Sequence, residues 1–267
     1  MTNFRDVSDL HAAIASQGER LTGFDLVVGL PRSGMIPAAL IATMHKVPLA
    51  DLHTYNRGLC WPVRGHIEKL PETPIRVLMV DDTVRHGVTM KWALQSVARK
   101  DEITRFAVWE ETGPNGHHDF AAGRVAGPRA FPWNIWRSRA LQTAACDMDG
   151  VLCRDPTKEE NDDGPHYLEF MGSVRPLYRP QYELQSIITG RREKYRAQTE
   201  GWLIRHGVRY KKLLMKFDAL AHDQSKAKHI QQTGPALYIE SDPRQAAKIA
   251  QQVRIPVFCT GNQRVYR

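Results

Sequence analysis

Residues 77–89 read VLMVDDTVRHGVT. The unbroken apolar run Val77–Val80 predicts a strand covered on both faces, as in a parallel sheet. That strand carries Asp81 and Asp82 to its end, and Thr83, Gly87 and Thr89 predict a loop opening the helix MKWALQSVARK. Backbone N–H groups in such a loop cradle a monophosphate, and the threonine hydroxyls add donors. Adjacent carboxylates suit ribose hydroxyls, directly or through Mg²⁺.

The same pattern recurs outward along the chain. FDLVVG (Phe24–Gly29) runs into LPRSG and the helix-like MIPAALIATMH, and RFAVWEE (Arg105–Glu111) gives a further strand. After the connector RSRALQ, new strands are expected at TAACDMD from Thr143, QSIITGR from Gln185 and ALYIESD from Ala236, with KYRAQTEGWLIRHG and DPRQAAKIAQQV as helices. Strands alternating with helices imply α/β architecture, with ligands gathered at the C-terminal strand ends. At 267 residues the chain is about twice the common domain size. Two tandem, doubly wound parallel-sheet (Rossmann-like) domains are therefore expected, residues 1–141 and 142–267.

Composition narrows the classes. With 42% apolar and 25% charged residues the chain is not wholly disordered. Its longest apolar run, Met35–Met44, contains Pro37 and stops at His45 and Lys46, short of a membrane span. The N-terminus bears Asp6 and Asp9 without a charged-then-apolar leader, so a cytoplasmic location is expected. There are 37 basic and 29 acidic residues, net +8, which suits polyanionic ligands: phosphates, pyrophosphates or nucleic acid. Cys60, Cys146, Cys153 and Cys259 form no CxxC pair and read as buried thiols. His117 and His118 sit in a Gly-rich loop without partners at metal-binding spacing and read as surface residues.

The segment VLMVDDTVRHGVT resembles the signature of the type I phosphoribosyltransferases, over residues 20 to 140. The resemblance implies that Asp81 and Asp82 contact the ribose of phosphoribosyl pyrophosphate (PRPP), and that Thr83, Arg85, His86, Gly87 and Thr89 form the loop for its 5-phosphate. Gly29–Gly34, GLPRSG, is similar to the family's pyrophosphate loop, with Arg32, Ser33 and Gly34 at the diphosphate. Two departures stand out. His86 replaces a threonine before Gly87, and Arg85 stands where purine-using members carry an aspartate. Arginine cannot exchange a proton near neutral pH, so Arg85 either neutralises an acidic or oxo-rich base or is a solvated loop residue. Residues 53–70 are irregular and basic; Arg57, Arg64 and Lys69 belong either to a loop closing over the diphosphate or to plain surface. AFPWN (Ala130–Asn134) is similar to the segment that covers the base in xanthine-guanine type members, so Trp133 either stacks on a base or fills the core.

In the second half, DMDGV (Asp147–Val151) resembles the first motif of the haloacid dehalogenase (HAD) superfamily, over residues 143 to 267. Later motifs follow in order: Thr189, with Arg191 close by; Lys226, preferred to Lys228 for its spacing to Ile230; and Glu240 with Asp242. The resemblance implies a phosphatase with little or no cap. Asp147 would form an aspartyl phosphate and Asp149 would act as acid and base. Asp147, the Asp149 carbonyl and Asp242, with Glu240 as helper, would hold Mg²⁺.

Together the halves imply an enzyme that joins a nitrogenous base to PRPP, releases pyrophosphate, then hydrolyses the nucleoside monophosphate. The expected partners are these small molecules, with no membrane; a homo-oligomer stays open. Two rivals stay open too: a nucleic-acid end-processing phosphatase, and a PRPP-sensing first domain that gates the second.

Overall fold

The computed structural model describes residues 3–111, 117–127 and 129–267. It divides into two compact units, Val7–Gly127 and Met1–Asp6 with Pro128–Arg267. Both are α/β with parallel sheets.

In the first unit the strands are β1 (Leu26–Gly29), β2 (Leu49–Asp51), β3 (Arg76–Val84), β4 (Glu102–Glu110) and β5 (Phe120–Arg124), in spatial order β2-β1-β3-β4-β5. All pairings are parallel. Val77 to Val80 are fully buried, as a strand covered on both faces requires. The helices are α1 (Val7–Ala15), α2 (Met35–His45), α3 (Leu52–Asn56) and α4 (Val88–Ser96). From β1 the chain moves to one side for β2 and returns to the other for β3. The strand order thus reverses between β1 and β3, and a ligand crevice opens at such a switch point, beyond the strands' C-terminal ends.

The second unit holds β6 (Ala144–Cys146), β7 (Ser186–Arg192), β8 (Leu213–Lys216), β9 (Leu237–Glu240), β10 (Val257–Cys259) and β11 (Arg264–Tyr266), in the order β8-β7-β6-β9-β10-β11. Only β11 runs antiparallel within this sheet. Helices α5 (Pro165–Ser173), α6 (Arg196–Arg205), α7 (His222–Thr233) and α8 (Pro243–Ala250) accompany it. Here the switch point lies between β6 and β9. Between β6 and β7 the described chain has α5 as its one helix.

The division falls after Gly127, whereas the sequence suggests a boundary near residue 141. The segment between them packs into the second unit's core: Ile135, Ala140 and Leu141 join Cys146, Ile187 and Ile239 in one apolar cluster. Asn3–Phe4 also pairs in parallel with Arg129–Ala130, and Phe4 stacks on Phe258 at 4.8 Å. All four cysteines are buried and free of disulfides. Among the described residues no helix is long and apolar enough to cross a membrane.

Candidate active sites

In the first unit both acidic residues of β3 are buried. Asp81 Oδ1 accepts from the Asp82 N–H at 2.9 Å, and Asp82 Oδ1 accepts from the Thr83 N–H at 2.8 Å. Ser33 Oγ donates to Asp82 Oδ1 at 3.0 Å, so the loop after β1 is tied to the end of β3 at the switch point. Gly34 makes that approach possible: a Cβ there would stand 2.6 Å from Leu30 O and 2.7 Å from Val80 O. The Pro31–Arg32 peptide is cis. Arg32 is exposed beside this loop.

β3 continues through Thr83 to Val84, two residues beyond the expected strand end. Gly87 caps α4 in the left-handed region, φ +62°. Arg85 and His86 precede it, both exposed, and Thr89 lies exposed in the first turn. Arg85 Nε stands 3.3 Å from Glu111 Oε2. Trp133 falls in the second unit, half-buried, with its ring 4.9 Å from that of Phe131.

Two sequence expectations are corrected here. Residues 53–70 are more regular than expected. The Asp51 carboxylate caps α3 by accepting from Thr54 N at 2.8 Å, Tyr55 is fully buried, and Leu59–Cys60 pairs antiparallel with Glu68–Lys69. His118 is buried rather than on the surface. Its Nε2 lies 2.9 Å from Glu110 Oε2, while Arg124 Nε donates to Glu110 Oε1 at 2.7 Å.

In the second unit four segments meet at the end of β6. Asp147 is anchored by its own N–H to Ile239 O at 2.9 Å, and its Oδ1 accepts from the Met148 N–H at 2.7 Å. Lys226 Nζ, buried on α7, donates to Asp147 Oδ2 at 2.6 Å, Glu240 Oε2 at 2.8 Å and Gln245 Oε1 at 3.0 Å. Lys228 is exposed, 4.7 Å from the Phe217 ring centroid. Thr189 is buried midway along β7, not at its end as the sequence suggests: the strand runs on to Arg192 after a register shift against β8, and Thr189 Oγ1 accepts from the Arg191 N–H at 3.1 Å. Gly150, φ +74°, turns the chain after Asp149; a Cβ there would collide with Ser241 Oγ.

Burial pushes the Asp147 carboxyl up, with the Glu240 charge adding to it, against the pull of Lys226. Burial opposes the charge on Lys226, yet Asp147 and Glu240 together hold the ammonium protonated. One buried cation therefore serves two carboxylates at the wall of a cavity.

The residue types suit Mg²⁺, which takes hard oxygen donors, often one or two carboxylates with water and phosphate completing the shell. Asp147 and Asp242 line one cavity of about 830 Å³. Asp242 caps α8 through Oδ1, which accepts from Arg244 N at 2.7 Å and Gln245 N at 3.1 Å, so Oδ2 is outside the cap. Glu240 is engaged at both oxygens, by Lys226 and by the Ser241 and Asp242 N–H groups. That makes it an anchor for Lys226 more than a ligand. Among the described residues no group of three or more His, Cys, Asp or Glu side chains is arranged for a metal on its own.

Sequence reasoning missed three participants. Arg191, noted only as nearby, is buried and grips Asp149. Gln245 completes the Lys226 cage from α8. Asp155 lines both cavities that meet at Asp147. The first had a signal in its position two residues after Thr189; the others had none.

No known family's sequence profile matches the chain, and no curated protein matches it. Among solved structures, it is similar to a purine phosphoribosyltransferase from Pyrococcus horikoshii at 20% identity, covering 49% of this chain and 93% of that one, TM-score 0.37. A xanthine-guanine-hypoxanthine phosphoribosyltransferase from Helicobacter pylori matches at 13% identity over 51% of this chain and 95% of its own, TM-score 0.39. An orotate phosphoribosyltransferase from Mycobacterium tuberculosis matches at 18% identity over 42% and 68%, TM-score 0.29.

Proposed function

We propose that this chain is a bifunctional, nucleoside-forming enzyme. Its first unit transfers the phosphoribosyl group of PRPP to a nitrogenous base, and its second hydrolyses the resulting 5′-monophosphate. The strongest support is the convergence on Asp147 of separate segments, bringing Lys226, Glu240 and Gln245 around one buried carboxylate, with Asp149 on the wall of the same cavity.

In the transfer step a ring nitrogen of the base attacks the anomeric carbon and pyrophosphate leaves. Asp81 and Asp82 hold the ribose hydroxyls, the Thr83–Thr89 turn holds the 5-phosphate, and Arg32 with the Ser33–Gly34 amides meets the departing diphosphate. The protein's part is positioning and charge stabilisation. In the second step Asp147 attacks phosphorus while Asp149, having left the Arg191 fork and taken up a proton, gives that proton to the leaving alkoxide, and Asp149 then takes a proton from the water that hydrolyses the aspartyl phosphate. Thr189 and Lys226 hold the phosphoryl oxygens. Asp147, the Asp149 carbonyl and Asp242 would hold Mg²⁺, which supplies charge neutralisation at the phosphate when bound. Removal of phosphate draws the reversible transfer forward, and the tether raises the local concentration of intermediate.

The test is mass spectrometry of products from PRPP, Mg²⁺ and a panel of purine and pyrimidine bases, with wild type beside Asp147→Asn. Nucleoside from wild type and nucleotide accumulating in the variant is the expected result. Consumption of no base by either protein would overturn the synthase step, and phosphatase activity alone would leave the first unit as a sensor.

A further inference from the structure

Two cavities meet at Asp147. The larger is lined by Glu240 and Asp242. The other, about 580 Å³, is lined by Asp149 as well as Asp147. A leaving-group oxygen that takes its proton from Asp149 therefore lies in this second cavity.

The cations of that cavity are not alike. Arg191 is committed to Asp149. Arg192 is committed to Asp163 at 2.7 Å and Asp218 at 3.3 Å, and Lys226 to Asp147 and Glu240. Lys216, at the end of β8, is different. It is half-buried, and its Nζ reaches only the backbone carbonyls of Phe217 at 3.3 Å and Asp218 at 3.5 Å. Among the described residues it forms no ion pair with a carboxylate. His222, the first residue of α7, lines the same cavity and lies against Gly190, where a Cβ would come 2.5 Å from its Nδ1. Burial lowers the His222 pKa and the charges of Lys226 and Lys216 lower it further, while Asp223 and Glu240 act the other way, so the imidazole meets an anion as a neutral donor beside Lys216. Asp155, Asp163 and Asp218 also line the cavity, but among the described residues none of their carboxylates pairs with Lys216, whose charge is met only by two backbone carbonyls.

We propose that Lys216 and His222 form a second anion-binding pole in the Asp147 cavity, so that the phosphate ester taken there bears another anionic group, a phosphate or a carboxylate, on its leaving-group side. This rests on the phosphatase reading of the second unit. A neutral sugar leaving group would leave the Lys216 charge uncompensated, whereas a second anion completes it with a charge-assisted hydrogen bond.

The experiment uses the full-length protein with Mg²⁺ and two pairs of probes: adenosine 5′-monophosphate with adenosine 3′,5′-bisphosphate, and uridine 5′-monophosphate with its 6-carboxylate. Phosphate release gives kcat/KM for each. In at least one pair the probe with the added anion is preferred, and Lys216→Met lowers that preference about tenfold, the loss of one charge-assisted contact. Lys216→Arg retains it. A Lys216→Met variant that lowers both members of each pair equally, or neither, overturns the subsite. If wild type releases phosphate from none of the four, the phosphatase reading alone fails. Calorimetric binding of adenosine 3′,5′-bisphosphate then decides the subsite: weakening of about tenfold in Lys216→Met sustains it, and unchanged affinity overturns it.

Discussion

Arg191 holds Asp149 by two parallel hydrogen bonds, Nε to Oδ2 at 2.9 Å and Nη2 to Oδ1 at 2.6 Å. The guanidinium side chain is fully buried, and Thr199 Oγ1 receives a further bond from Nη1 at 3.3 Å. The bidentate fork fixes the carboxylate plane two residues after the candidate nucleophile. Asp149 is thereby held in one orientation by Arg191, and on the phosphatase reading proposed above it must leave this fork to carry a proton.

Arg191→Met is expected to destabilise the second unit by about 3 kcal/mol or more, because it strands a partly buried carboxylate without its partner. Asp149→Asn in the same chain should restore part of that loss, since the uncompensated charge is gone. Denaturant unfolding of both single variants and the double variant measures the coupling. Additive single losses would sink the idea that the pair acts as a unit.

Lys226→Met should cost more, since it leaves Asp147 and Glu240 facing each other in a buried site. A loss above about 3 kcal/mol is expected, together with loss of phosphate release. Glu240→Gln keeps the shape and removes one of the two negative charges, so it should be tolerated far better in unfolding experiments. Its phosphate release reports how much the Lys226 position depends on that anchor.

Much of this was legible in the sequence because the informative strands are continuous and apolar. Val77–Val80 and the run ending at Asp147 carry their polar residues to one end, as the buried strands of a parallel sheet do. The short strands β2, β8 and β10 have three or four residues each, too few to show a period. The boundary was misplaced because Ile135 and Leu141 belong to a core made of residues far along the chain. Partners such as half-buried Gln245 and buried His118 depend on tertiary neighbours, and nothing in their local spacing announces them.

Gly34→Ala tests the loop that brings Ser33 to Asp82. A methyl group at this position meets two backbone carbonyls, Leu30 and Val80, neither of which can rotate away. Displacing the loop should cost about 1–3 kcal/mol. PRPP affinity should fall with it, read by calorimetry. Ser33→Ala removes only the hydroxyl bond and should weaken PRPP with little change in melting temperature. Equal effects of the two substitutions on melting would mean that the loop is not held by close approach.

Acid sensitivity of the first unit should trace to Asp101. This carboxylate accepts from Tyr55 Oη at 2.7 Å, Arg99 Nε at 2.6 Å and the Ile75 N–H at 3.0 Å. Burial alone would raise its pKa, but the bonds from Arg99, Tyr55 and Ile75 hold it below the ordinary value. A carboxyl depressed in the folded state adds stability above its unfolded pKa, about 3.9, and that contribution disappears as pH falls through the folded value. The stability difference between wild type and Asp101→Asn should therefore be widest from pH 5 upward and shrink steadily below about pH 4. Urea unfolding followed across that range measures it. A difference that stays constant down to pH 2 would show that the amide's lost hydrogen bonds, and not the Asp101 charge, account for the destabilisation.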